Sequence, residues 1–270
     1  MKKTVVLVAG LLLFGITTLL NAQEYTPVAQ PNLAQAKEPK LGAAFDLTYM
    51  SRYISKGTEP YGNKGAFFET ISLDLWQTGF GVSAGHQSPT SSGYVDKQRF
   101  NYGVNYGNNI FNGEPYKTVY KIDWIYKHYY GRARNAGNSQ NWIFDFSWPN
   151  ILPIKNLSPY YVADYEYPAG SDYANSNTTG WVHRLGLGYK LPVSGLVEPL
   201  KLTSEIAYND GYGGPTKDHD WAYATFGVAT KYALSKNLSL IPGLYHQISM
   251  DDSVNTHDVT YCKISMKYNF

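Results

Sequence analysis

Two side chains in the first third of the chain could carry out nucleophilic catalysis. His86 and Ser88 are separated by one residue, so both point to the same face if this segment is a β-strand. An imidazole beside a hydroxyl can act as a base and activate the serine as a nucleophile. The spacing therefore raises the possibility of an acyl-transfer enzyme.

That chemistry needs a third group to orient the imidazole. In the outer-membrane phospholipases and lipid A deacylases that this pair resembles, an Asn or an acid on the outer face of the neighbouring strand supplies it. Here Asn101 falls on the opposite face, and Pro89 replaces the residues that usually build the oxyanion donors in those enzymes. A histidine and a serine at the edge of a loop are more commonly a surface pair, so we expect no enzymatic activity. The other outward histidines lie far apart without ligand spacing, so we expect neither a metal site nor a cofactor.

Charged residues form a second set of candidate functional residues. They recur at the polar positions of segments in which polar and apolar residues alternate, so they would share one face of each strand. A polar phase that faces inward could line a water-filled passage, and a mixed lining of acids and bases favours small polar solutes. The alternative is that these charges neutralise one another and plug the interior, since buried charges are tolerated when paired. The candidate lining residues are Arg52, Lys56, Asp74, Lys121, Asp123, Asp164, Glu166 and Arg184.

The elements that must position these residues are alternating segments of about ten residues, the pattern typical of membrane barrels. Trp142, Phe144, Phe146 and Trp148 illustrate it, since they share a face that needs no opposing sheet in lipid. Phe45, Leu47, Tyr49 and Tyr53 are likewise predicted to contact lipid. We predict an all-β fold, a transmembrane antiparallel up-and-down β-barrel of about 12 strands. The predicted strands cover residues 41–56, 66–77, 80–88, 99–108, 116–129, 141–148, 158–167, 181–191, 200–209, 221–233, 238–249 and 259–270.

The connections alternate between two kinds. One set is compact or proline-rich, whereas the other is polar and rich in Gly, Ser and Asn, as in residues 169–180 and 210–220. Outer-membrane barrels have short periplasmic turns and longer external loops, so both ends of the barrel segment are expected in the periplasm. If the protein were instead an interaction barrel, those two long loops would hold the partner.

The amino-terminal residues predict export. Lys2 and Lys3 precede an apolar run that is short for a membrane anchor, so residues 1–22 are predicted to be a cleaved signal peptide. Residues 23–40 are expected to form a flexible periplasmic tether, followed by the barrel over residues 41–270. Removing the leader leaves 21 basic residues against 21 acidic ones, and a neutral chain argues against a nucleic-acid partner.

Composition supports a membrane barrel. The chain has 25 Tyr and 6 Trp, whose apolar bodies and polar tips suit the two edges of a bilayer. After the leader, no apolar run reaches the ~18 residues of a spanning helix. A single cysteine, Cys262, excludes an internal disulfide.

Two segments resemble outer-membrane proteins. Phe45 to Gly57 reads FDLTYMSRYISKG, and a hairpin LWQTGF follows at residues 75–80. Over residues 41–85 the chain resembles an uncharacterised family of predicted bacterial outer-membrane proteins, although Lys56 stands where arginine is commoner. This resemblance implies an exported barrel and supplies no substrate. The last strand, which ends at Phe270, resembles the closing strands of such barrels and implies recognition by the barrel-assembly machinery.

Together these observations predict a protein of the cell outer membrane of a Gram-negative-type bacterium, in contact with outer-membrane lipid. The expected function is a passive narrow channel for small polar solutes. There are two alternatives. One is a lipid hydrolase that uses His86 and Ser88, a pair that resembles the catalytic dyads of outer-membrane phospholipases and lipid A deacylases. The other is a structural or interaction barrel without transport.

Overall fold

The computed structural model describes residues 40–130, 137–169, 179–214, 217 and 219–270. The predicted signal peptide and almost all of the predicted tether lie outside these residues. Within the described part of the chain the fold is almost entirely β-structure, with a short 3₁₀ helix over Ser92–Lys97. No helix in the described ranges has the length and hydropathy to cross a membrane.

The described residues form thirteen strands, each antiparallel to its neighbours. They are β1 Gly42–Met50, β2 Ala66–Asp74, β3 Phe80–Pro89, β4 Arg99–Ile110, β5 Thr118–His128, β6 Ser139–Ser147, β7 Leu157–Pro168, β8 Gly180–Leu191, β9 Leu200–Asp210, β10 Asp220–Ala229, β11 Tyr232–Ala233, β12 Leu238–Ser249 and β13 Val259–Asn269.

The sheet closes on itself. β1 pairs with β13, with Phe45 opposite Tyr268, and β10 pairs with β12, with Tyr223 opposite Ser249. The two-residue β11 also pairs with β12, so it continues β10 after a short break and does not add a new position to the wall. The wall therefore has twelve strand positions, and the predicted twelve-stranded barrel is confirmed.

Side-chain alternation along each strand separates an apolar exterior from a polar interior. Ile71, Trp142 and Leu185 are exposed on the outside, where aromatic rings also pack against one another, as Tyr165 does against Trp181. Asp46 and Thr48 of β1 point into the lumen between outward-facing residues. Closure satisfies the backbone hydrogen bonds, and the outer surface presents side chains suited to lipid.

The first strand ends earlier than predicted. β1 ends at Met50, and residues 51–65, here called the roof loop, leave the wall and fold across the lumen. Tyr53 is consequently buried, with 6% of its surface exposed, so the prediction that it contacts lipid is wrong. Beyond Met50 the chain pairs with itself, since the Tyr53 amide donates to the Lys64 carbonyl at 3.0 Å.

The tip of the roof loop is a tight two-residue turn. Ser55 and Thr58 exchange two backbone hydrogen bonds of 2.9 Å, and the residues between them, Lys56 and Gly57, have φ of 49° and 85°. Positive φ at both central positions is the geometry of a type I′ turn, which favours glycine. A Cβ on Gly57 would lie 2.5 Å from the Tyr223 ring, so the close packing of this tip also requires glycine.

Candidate functional site: a lumen cavity beneath the roof loop

The lumen contains a cavity of about 420 Å³ whose wall residues come from most strands. Small polar residues of β2, β3 and β4 line one side, and charged residues of β7, β8 and β9 line another. The charged lining residues are Asp46, Lys56, Arg99, Lys121, Asp123, Lys127, Asp164, Arg184, Glu205, Lys263 and Lys267. Charged side chains therefore occur along the length of the cavity, among apolar ones.

An apolar cluster closes the end of this cavity that lies under the roof loop, which is the external end in the predicted orientation. Tyr53, Ile54 and Tyr61 of the roof loop are buried against wall residues that include Met50 and Tyr261. Burying three large side chains of a loop in this way stabilises it by several kcal/mol, at about 1.5–3 kcal/mol for each fully buried side chain. Among the described residues, this end of the barrel is filled rather than open.

An ion-pair network fixes the tip of the roof loop to the wall. The Lys56 ammonium lies 2.9 Å from Asp164 Oδ1 and 3.0 Å from Glu166 Oε2 on β7. Lys127 Nζ of β5 lies 2.8 Å from the same Glu166 oxygen. We call these four residues the latch. Burial alone would lower the pKa of Lys56, but the attraction of the two carboxylates outweighs it and raises this pKa above its ordinary value.

Further hydrogen bonds hold the roof loop at its sides. Gln247 Nε2 donates to the Gly57 carbonyl at 2.8 Å, and Gln87 Nε2 donates to the Tyr61 hydroxyl at 2.8 Å. On the outer side, Arg52 donates two hydrogen bonds of 2.8 Å to the carboxylate of Glu59. Strands β3 and β12 therefore both contribute to the seat of the loop.

A second ion pair lies in the part of the cavity away from the roof loop, which is the periplasmic part in the predicted orientation. The side chains of Lys121 and Asp123, which pair with each other, are 28% and 16% exposed, compared with 8% for Lys56 and 5% for Glu166 in the latch. The Lys121–Asp123 pair is thus more exposed than the latch. Asp46 and Lys267, which line the cavity, lie toward the end of the barrel that carries residues 40 and 270.

The eight candidate lining residues fall into two groups. Lys56, Lys121, Asp123, Asp164 and Arg184 line the cavity, and Glu166 is buried beside it in the latch. Arg52 and Asp74 lie elsewhere. Arg52 is part of the external loop pair with Glu59, and Asp74 ends β2, where its Oδ1 accepts a hydrogen bond from the Gln77 amide.

Several residues of this site were not among the eight. Lys127, Glu205 and Lys263 lie on the inward phase of their strands, so alternation alone could have added them. Arg99 is the first residue of β4 and also lines the cavity, where it donates to the hydroxyls of Tyr129 and Tyr53. A residue at the end of a strand has alternating neighbours on one side only, so its face is harder to predict from alternation.

His86 faces outward and has two partners. Its Nδ1 lies 3.1 Å from Glu69 Oε2, and its Nε2 lies 3.0 Å from the hydroxyl of Tyr130. Glu69 can therefore orient the imidazole of His86, a role for which the sequence offered only Asn101. Glu69 lies on β2, the neighbour of β3 on the side away from Asn101. The ring nitrogen that would activate Ser88 is instead directed at Tyr130.

Comparisons with known proteins support the fold. No family model matches the chain, and no curated protein matches it. Among solved structures, an outer-membrane channel from Pseudomonas putida F1 has a TM-score of 0.52 at 9% identity, over 93% of this chain and 100% of that one. The NanC porin has a TM-score of 0.50 at 12% identity, over 83% of this chain and 98% of that one.

A third structure, the outer membrane phospholipase A from Escherichia coli, has a TM-score of 0.43 at 13% identity, over 90% of this chain and 95% of that one. That similarity is too low to support an argument about function. The fold is that of outer-membrane β-barrels. With its closed wall and exposed apolar belt, the protein is located in the bacterial outer membrane.

Proposed function

We propose that the protein is a passive, narrow channel for small polar solutes, with the roof loop as its external gate. The observation that carries this proposal is the polar cavity, which continues from the periplasmic level of Asp46 and Lys267 up to Lys56. What ends the cavity is a loop of the same chain and not the barrel wall. A displaced roof loop would extend the polar path toward the external face.

The composition of the latch supports a gate. Ion pairs in a low-dielectric interior recover only part of their desolvation cost, so the latch contributes less to stability than apolar packing of the same volume would. Water that enters the mouth can solvate Lys56 and its two carboxylates when the loop is displaced. The latch therefore fixes the closed position of the roof loop. Because water can solvate its charges, the latch also lowers the free energy needed to displace the loop.

We propose that the protein is not an enzyme. The His86 imidazole is held between Glu69 and Tyr130, and no hydrogen bond joins it to Ser88 in the described structure. A lipid hydrolase would need the Nε2 atom free to accept the serine proton. Purified protein should therefore show no esterase activity, and a Ser88→Ala variant should behave as the parent does.

We also propose that the chain belongs to the uncharacterised family that residues 41–85 resemble. The basic residue and glycine that end the first motif are Lys56 and Gly57, the two residues at the tip of the roof loop. A shared motif at this place would be expected if other members also carry a folded-in first loop.

Planar-bilayer recording tests the channel. We expect brief, infrequent openings from the wild type and an open probability about tenfold higher in Lys56→Met, which corresponds to about 1.4 kcal/mol of lost latch free energy. Lys121→Met is the matched control, because Lys121 also lines the cavity in an ion pair but has its partner, Asp123, on its own strand. That control should change the current of each opening and leave the open probability unchanged. Absence of current from both the wild type and Lys56→Met, at every potential, would remove the transport proposal.

A further inference from the structure

Unpartnered polar atoms are concentrated on one wall of the cavity. In the described residues, six buried side-chain atoms have no hydrogen-bond partner, and four of them belong to cavity-lining residues. These four are Gln87 Oε1, Arg99 Nε, Asn101 Oδ1 and Asn141 Oδ1. Buried polar atoms in folded proteins nearly always have a partner, so a cluster of exceptions at one place indicates a site that receives one.

The four residues lie on adjacent strands just below the roof loop. Gln87 of β3 is directly opposite Arg99 of β4, and Asn101 of β4 is directly opposite Lys127 of β5. Asn141 follows on β6, and its Nδ2 donates to Asp164 at 2.6 Å. Gln87 and Asn141 are 1% and 2% exposed, so both are fully enclosed. We call this surface the amide wall.

The chemistry of the amide wall selects against charged ligands. Three of the four free atoms are carbonyl oxygens, which accept hydrogen bonds and would repel a carboxylate or a phosphate. The side chains between them are the cations Arg99 and Lys127, which would repel an ammonium group. Their attraction for an anion is reduced because Lys127 is already paired with Glu166 and Arg99 already donates to two tyrosine hydroxyls. An uncharged ligand with several hydroxyl groups satisfies both kinds of atom, because each hydroxyl both donates and accepts.

The rest of the cavity suits a hydroxylated ring. Tyr53 and Phe68 line it beside the amide wall, with ring centroids 5.4 Å apart, and present apolar surface to the same space. The volume of about 420 Å³ lies within the range of small-molecule sites, about 300–1,000 Å³. The amide wall offers hydrogen-bond donors and acceptors to the hydroxyl groups of a sugar-sized polyol. The aromatic rings offer an apolar surface to its C–H groups.

We propose that the amide wall is a binding site for an uncharged polyhydroxy compound of about monosaccharide size. This deepens the proposed function by naming the solute class, but occupancy from the periplasmic side does not require the external gate to open. Binding and conduction can therefore be tested separately.

Saturation-transfer NMR on the full-length, detergent-solubilised barrel tests this site, with D-glucose, sodium acetate and ethylammonium chloride as probes. The detergent must have no sugar headgroup. We expect transfer to D-glucose and none to either charged probe. Asn101→Ala should weaken glucose binding about five- to tenfold, the effect of losing one hydrogen bond to a buried group.

The matched control is Asn109→Ala. Asn109 is on the same strand as Asn101, and its Oδ1 is also buried and unpartnered, but it does not line the cavity. Its substitution should leave glucose binding unchanged. Asn101→Ser provides a second variant if Asn101→Ala fails to fold, as judged by the gel mobility of the unheated barrel.

Three outcomes would overturn the site: no transfer to glucose, stronger transfer to a charged probe, or equal loss in the Asn109 and Asn101 variants. Each leaves the channel proposal standing, because that proposal depends on current. Glucose binding without conductance would remove the channel and keep the site.

Discussion

The external and periplasmic halves of the lumen contain similar charged residues but are packed differently. In the external half, Lys56, Asp164 and Glu166 are enclosed by a loop and by the apolar cluster around Tyr61. In the periplasmic half, Lys121 and Asp123 pair on an open wall. The roof loop therefore encloses the latch, whereas no loop among the described residues covers the Lys121–Asp123 pair in this way.

The largest expected effect comes from removing one member of the enclosed network. Glu166→Gln leaves Lys56 and Lys127 buried with one fewer counter-charge, so we expect a loss of about 3–5 kcal/mol in the free energy of unfolding. Urea titration of the barrel in vesicles measures it. Asp123→Asn is the periplasmic counterpart and should cost less than about 1 kcal/mol, since water reaches that pair. Equal costs would abolish the distinction between the halves.

The seat of the roof loop can be tested at its tip. Gly57→Ala places a Cβ at positive φ and 2.5 Å from Tyr223, so the tip should lift at a cost of about 1–3 kcal/mol. Limited proteolysis within residues 51–65 reports the displacement. Gly113→Ala has a similar φ of 92° in a periplasmic turn but nothing within 4 Å of the added Cβ. If that variant exposes the roof loop equally, the close packing against Tyr223 is not what holds the tip.

A third comparison of the two halves replaces a small side chain in each half by leucine. Ala207 is fully buried with Val182 and Tyr223 in the external half, so Ala207→Leu should destabilise the barrel by about 1–3 kcal/mol. Ser72 lines the cavity on β2, and Ser72→Leu should change stability by only about 0.5 kcal/mol. Thermal unfolding of both variants gives the comparison. A large cost for Ser72→Leu would mean that the cavity is not open space.

The smallest expected effect is that of alkaline pH. The pKa of Lys56 is raised above 10.5, so its contribution to closure is fully present below that pH and is lost only as the pH rises through the raised value. We therefore expect the same open probability at about pH 7 and about pH 9. Recordings at the two values check this. A marked opening at the higher value would show that a latch group other than Lys56 loses its proton in this range.

Most of the fold could be predicted because alternation is a local property of the sequence. A strand that faces lipid on one side and water on the other must change polarity at each residue, and all twelve predicted wall segments correspond to observed positions. The prediction was wrong after Met50. In residues 51–56, which read SRYISK, polar and apolar side chains come in neighbouring pairs and do not alternate, so the sequence itself carries a local sign that the wall strand ends before Lys56.

The latch and the partner of His86 could not be predicted for a different reason. Lys56 and Asp164 are 108 residues apart, and their contact depends on a loop path that alternation does not encode. Glu69 is on the outward phase of β2, so its position was predictable, but its contact with His86 follows from the register between β2 and β3. Alternation gives the face of a residue and says nothing about its height along the barrel.

The distance in sequence between the roof loop and its seat sets an order of assembly. Residues 51–65 are synthesised early, but Asp164 lies 108 residues after Lys56 and Gln247 lies 190 residues after Gly57. Such contacts cannot form until late strands have joined the sheet. The mouth beneath the roof loop therefore cannot be sealed until the last third of the chain has joined the sheet.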